Sequence, residues 1–160
     1  MNLDRLTTAI IRDMGVLFEA CPNSDGDLVV GVGRNLDSCP LTTYEIDAVG
    51  HDARSKPITR ADAVYLLRND IARTLAAIDR AIPWWKTLDE TRRLVLANMG
   101  FNLGVTKLLG FKEALGWLKQ GRYAAAAGAM LDSKWAEQVG DRAKRLAEMI
   151  RTGRTPDQGP

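Results

Sequence analysis

A chain of 160 residues, 46% hydrophobic and 26% charged, is long enough to bury a core and short enough to form one domain. Its 22 basic residues against 20 acidic ones leave a formal charge of +2, too little for a nucleic-acid footprint. Cys21 and Cys39 match no zinc spacing and no redox motif, and His51 is the only histidine, so no metal and no cofactor are expected and the thiols are read as reduced.

Leu3, Leu6, Ile10 and Ile11 recur at helical spacing, which predicts a first helix to about Asp13 that stops at Gly15. This N-terminal stretch is broken by charges and lacks the apolar core of a signal peptide, and no run is long enough for a membrane span. From Val16 to Arg34, apolar pairs alternate with Pro22, Asn23, Ser24, Gly26, Gly31 and Gly33, a pattern of short antiparallel strands and tight turns. The polar stretch from Asn35 to Pro57 holds a short helix around Thr43 to Val49. Thr59 offers an N-cap with Asp62 in the capping-box place, and Ala63, Leu66, Leu67, Ile71, Leu75 and Ile78 continue one long helix to about Ala81. After Pro83, Trp84 and Trp85, the segments 89–103, 108–119, 122–131 and 142–152 read as helices separated by Gly104, Gly110, Gly121 and Gly140.

The class is therefore α+β and mostly helical. A small hairpin-containing N-terminal lobe (about 14–58) is followed by a long connecting helix and a helical lobe (about 82–154) that also takes the N-terminal helix 2–13. Residues 1–154 form one domain, 155–160 a tail expected to fray, and a cleft between lobes is the expected place for a site. Trp84 and Trp85 read as core anchors beside Pro83, not as sugar-stacking surfaces. The basic stretch Arg142, Lys144, Arg145, Arg151 and Arg154 reads as a solvated helix face, with an anionic wall polymer as its alternative partner.

Five segments carry a resemblance that covers roughly residues 3–154. They are Ile11-Arg12-Asp13-Met14-Gly15; Gly31-Val32-Gly33-Arg34-Asn35-Leu36-Asp37; Asn98-Met99-Gly100-Phe101-Asn102-Leu103-Gly104; Leu109-Gly110-Phe111; and Ser133-Lys134-Trp135 leading into Asp141-Arg142-Ala143-Lys144-Arg145 and Arg151-Thr152-Gly153. In that order and spacing the chain resembles the phage-type lysozymes, endolysin muramidases that cut the glycan strands of bacterial peptidoglycan. The resemblance implies the two-lobed lysozyme fold.

It also implies an acidic site in which a Glu precedes the glycine ending the first helix, an Asp or Cys follows nine residues later, and a Thr six residues after that; here Met14, Asn23 and Val29 occupy those places. Phe101 falls where the family lines its cleft, Arg142 matches the arginine that pairs with the missing Glu, Asn102 falls where the family has a polar side chain near that pair, which makes these three the implied substrate-binding residues, and Arg34 and Asp70 match a structural His and Asp pair.

Glycoside hydrolysis needs a carboxylic acid to protonate the leaving oxygen and a second group to handle water or the developing cation. The Met14 thioether has no titratable proton, Asn23 is no effective base at neutral pH, and Val29 lacks a hydroxyl to hold water. Asp13 sits about 100° around the helix from Met14 and points elsewhere. Asp25, two residues beyond Asn23, is the best substitute acid, against its simpler reading as a turn residue before Gly26. Without its Glu, Arg142 is expected to turn to solvent, to Asp141 or to a bound anion.

The expected partner is the peptidoglycan glycan strand, met by a monomer that stays in the host cytoplasm until lysis and then reaches the wall. Three functional readings stand side by side. The first keeps the groove with hydrolysis of the MurNAc–GlcNAc bond lost or very weak, the second is an active endolysin using Asp25, and the third is a non-catalytic or engineered scaffold.

Overall fold

The computed structural model describes residues 1–156, so the last part of the expected tail, 157–160, lies outside the described residues. The chain divides into two compact units, Leu3–Arg73 and the segment from Thr74 onward with Met1–Asn2.

In the first unit, α1 (Leu3–Met14) buries Leu6, Thr7 and Ile10. It ends where Gly15 turns left-handed at φ +71 and donates its N–H to the Ile11 carbonyl at 2.8 Å, a conformation that costs glycine little. Only Gly15 and Val16 separate α1 from β1 (Leu17–Pro22), and α1 belongs to this unit, whereas the sequence reading grouped it with the later helices.

Strands β1, β2 (Leu28–Gly31) and β3 (Arg34–Asn35) form an antiparallel sheet in that order. Cys21 stands opposite Val29 and Pro22 opposite Leu28, with a register shift before Cys21, while Val29 and Val30 pair with Asn35 and Arg34. Val30, Leu36, Leu41, Ile58 and Leu66 form the core beneath, with Val16, Leu28, Ile46 and Val49 packed around it. Cys21 and Cys39 are both free thiols.

Helix α2 (Thr43–Val49) starts on a full capping box between Thr42 and Glu45. The same Glu45 carboxylate is 2% exposed and receives both terminal nitrogens of Arg34, at 2.9 and 3.1 Å. Arg34 Nε donates to Asp70 at 2.8 Å, Asn69 donates to Glu45 at 2.9 Å, and Arg73 bridges Glu45 and Asp70. The Arg34–Asp70 pair expected from sequence is thus one side of a larger buried network that joins β3 and α2 to α3 (Arg60–Ala81). Thr59 and Asp62 exchange hydrogen bonds at the start of α3 as the capping pattern predicts.

The second unit begins with the C-terminal part of α3 and a 3-10 turn at Pro83–Thr87, in which Trp85 is buried and donates its indole N–H to Asp79 at 2.7 Å, whereas Trp84 is half-buried. Helix α4 (Glu90–Leu103) starts on the Asp89 N-cap. The expected helix 108–119 is two helices, α5 (Val105–Leu109) and α6 (Lys112–Lys119), because Gly110 closes a tight turn onto the Lys107 carbonyl at 3.0 Å and Phe111 leaves the helical region with ψ 52. Helix α7 (Tyr123–Leu131) packs on α6 and on α9 (Asp141–Thr152), and a short α8 (Lys134–Val139), capped by Ser133, was not foreseen in the sequence pattern. No helix among the described residues is long and apolar enough to cross a membrane.

Arg92 on α4 closes the C-terminal end of α9. Its guanidinium is buried over the Tyr123 ring, 3.4 Å from the centroid, and donates to the Ile150 and Arg151 carbonyls at 2.7 and 3.3 Å. Replacing it orphans carbonyls that the helix cannot satisfy itself. Arg92→Ala is expected to cost roughly 2–3 kcal/mol in chemical denaturation, and Arg92→Lys to recover little, since one ammonium cannot reproduce the planar fork.

Candidate functional site

The residues singled out by the sequence fall in both units. Met14, Asn23, Asp25 and Val29 lie in the unit Leu3–Arg73, and Phe101, Asn102 and Arg142 in the one that follows.

Met14 is the last residue of α1 and is 37% exposed. Its methyl group lies directly on Gly33, where an added Cβ would stand 2.5 Å from Met14 Cε and 3.7 Å from Sδ. Two features make that approach available, the missing side chain at Gly33 and its φ of +77, which puts the backbone outside the range of most other residues. Position 14 therefore carries an apolar, polarizable end packed on backbone.

Asn23 closes the turn between β1 and β2. Its Oδ1 accepts the backbone N–H groups of Asp25 and Asp27, both at 2.9 Å, and its own N–H donates to the Asp27 carbonyl at 2.8 Å. The side-chain oxygen of Asn23 is thus engaged twice by the turn. Asn23→Ala is expected to lower stability by about 1–2 kcal/mol, read as a shifted urea midpoint, whereas Asn23→Asp keeps both acceptor contacts and should stay near the parent value.

Val29 is half-buried in the middle of β2 between Cys21 and Asn35, an apolar side chain in a strand-favouring place. Asp25 is exposed at the tip of the turn, and Glu19 is exposed on β1. Asp27 accepts from Asn35 Nδ2 at 2.9 Å, and Asp13 accepts from Arg12 at 3.5 Å.

In the second unit, Arg142, in the first turn of α9, is half-buried and donates from Nη2 to Asn98 Oδ1 at 2.9 Å. Asn98 is 2% exposed, a buried amide in the middle of α4. The sequence reading missed it, although one polar residue inside the apolar run Leu94 to Met99, four positions before Asn102, is a signal that a helix face carries something besides packing. Phe101 and Asn102 are both half-buried near the C-terminal end of α4. Among the described residues no group of three His, Cys, Asp or Glu side chains is arranged to hold a metal ion.

The sequence profile of the family described as Phage lysozyme matches residues 15–152, starting one residue after Met14. "Probable T4-type lysozyme 1" of Dictyostelium discoideum is 27% identical over 88% of this chain and 90% of its own length, and "Probable T4-type lysozyme 2" of the same organism is 24% identical over the same shares. The "Pre-baseplate central spike protein Gp5" of Enterobacteria phage T4 is 26% identical over 92% of this chain, which spans only 28% of that protein. With a profile match over most of its length and the helix, three-stranded sheet and helical second unit described above, the chain belongs to the phage lysozyme family.

Proposed function

We propose that this family member recognises the glycan of bacterial peptidoglycan as a muramidase does, with hydrolysis of the MurNAc–GlcNAc bond lost or very weak. The observation that carries this reading is Met14, which ends α1 in the family's acid position, exposed and resting on Gly33, without a proton to give. Asn23 adds to it, because its acceptor oxygen serves the turn. General acid assistance accounts for ~10²–10⁴-fold of such a rate, and the water-handling groups at positions 23 and 29 are replaced as well. The chain is then a wall-directed monomer whose groove outlasts its reaction.

Rescue by Asp25 is not supported by its surroundings. A glycosidase acid is enclosed against apolar side chains that keep its proton on, and Asp25 stands exposed at the tip of an open turn. The test compares muropeptide release from purified peptidoglycan with retention of the protein on the same insoluble material. Retention without release is the expected result. Release at a rate typical of an active relative overturns the proposal, and abolition of that release by Asp25→Asn would assign the reaction to Asp25.

A further inference from the structure

We propose that Met14 is a site of reversible oxidation, at which a peroxide converts the thioether to its sulfoxide and so takes the end of α1 off its seat on Gly33. The site lies within the unit Leu3–Arg73 and does not rest on whether the chain binds or cuts glycan.

Exposure singles this residue out. Of the five methionines, Met99, Met130 and Met149 are at most 9% exposed and the Met1 side chain is 8% exposed, whereas Met14 is 37% exposed. Its place in the chain explains the difference. Helical side chains lean over the turn before their own residue, so no later turn covers the last residue of α1. Gly15, next in the chain, has no side chain and leaves open space within 4 Å of where one would begin. A small oxidant therefore meets Met14 on the folded surface and the buried methionines only through local opening.

The reaction needs only the peroxide. A lone pair on Sδ takes one peroxide oxygen, the S–O bond forming as the O–O bond breaks, and the proton of the transferred oxygen passes to the departing one. Hydrogen peroxide leaves as water, reduced by the electron pair that the thioether gives up.

The product no longer suits its surroundings. The Met14 methyl group stands 2.5 Å from where a Cβ of Gly33 would be, with Sδ 3.7 Å from the same point, a seat that takes an unbranched apolar end. The sulfoxide is polar and branched at sulfur, and its oxygen is a strong acceptor that has to stay on water, where the thioether was a weak one. Drawing that group outward removes a contact between α1 and the turn that joins β2 to β3.

The experiment treats the full chain with hydrogen peroxide, assigns added oxygen by fragment-ion mass spectrometry, which separates Met14 from the Cys21 thiol, and follows Tm in parallel. Met14→Leu, an apolar end of similar volume, is treated identically and reports any effect of thiol oxidation. Met14 is expected to oxidise about tenfold or more faster than Met99, Met130 and Met149. Tm is expected to fall by about 2–4 °C in the parent and to hold in Met14→Leu. Methionine sulfoxide reductases for both sulfur epimers should restore the parent mass and Tm. Oxidation of Met14 no faster than of the three buried methionines overturns the proposal. So does a Tm that is unmoved with Met14 fully oxidised, that falls equally in Met14→Leu, or that the reductases leave lowered.

Discussion

The combined variant Met14→Glu, Asn23→Asp, Val29→Thr is expected to release muropeptides at least about 10²-fold faster than the unaltered chain. The expectation follows from what each change supplies. Glu at position 14 brings a proton donor to the end of α1. Asp at position 23 brings a carboxylate while keeping the acceptor atom on which the turn depends. Thr at position 29 adds a hydroxyl within a strand that accepts β-branched residues. Single reversions should give far less than their share, because groups that act as one unit are strongly non-additive. Met14→Glu alone is the one single change from which measurable release is expected, since the leaving oxygen must be protonated in any scheme. The revertant should also melt below its parent, since it exchanges an apolar contact on Gly33 for a carboxylate. A folded but inert revertant would show that these three positions are not sufficient for hydrolysis in this chain.

Glu45→Gln should be the most damaging single change in the first unit. The hydrogen bond from Arg34 holds the Glu45 carboxyl far below the ordinary carboxylate range, against the burial that works to raise it, and the Thr42 N–H and Asn69 add to the lowering. Removing one partner of a buried pair costs roughly 3–5 kcal/mol, and the lower end applies because Asp70 still faces Arg34. About 3 kcal/mol corresponds to ~6–12 °C in Tm for a chain of this size. The pH dependence has a definite sign. A depressed folded-state value means that the unfolded chain takes up the proton first, so the contribution is complete above the unfolded glutamate range near ~4.3 and is lost as the pH falls below it. The parent should therefore lose stability steeply below that range, and Glu45→Gln, already without the contribution, should lose it more gently in parallel melts. Identical acid slopes would remove Glu45 from the account.

Most of the fold was legible in the sequence because its signals are local. Gly15 after an amphipathic stripe, Thr59 with Asp62, and the glycine-punctuated run from Val16 to Arg34 each specify a boundary within a few residues of themselves. The break between α5 and α6 was less visible, since Leu108 and Phe111 keep helical spacing across it and only the backbone of Gly110 and Phe111 departs. Glu45 and Asn98 were missed for a different reason. Their roles depend on partners 11 and 44 residues away, at Arg34 and Arg142, which no local pattern encodes. Thr42 three residues before Glu45 has capping-box spacing, which the sequence reading did not use, and no spacing shows that the same carboxylate also holds an arginine. At the family positions the identities of Met14, Asn23 and Val29 were plain from sequence, whereas the use of the Asn23 oxygen by the turn, and the seat of Met14 on Gly33, needed coordinates.

The register of the sheet has a practical consequence. Cys21, exposed and unpaired, stands directly opposite Val29, and facing side chains on neighbouring antiparallel strands sit about 4.5–5.5 Å apart at Cβ. A thiol-reactive dye on that cysteine would place a reporter one strand away from Val29 without any mutation there. Cys39, half-buried, reacts more slowly and is the one to convert to serine first. The chain thus carries its own attachment point for a real-time test of saccharide binding beside this sheet.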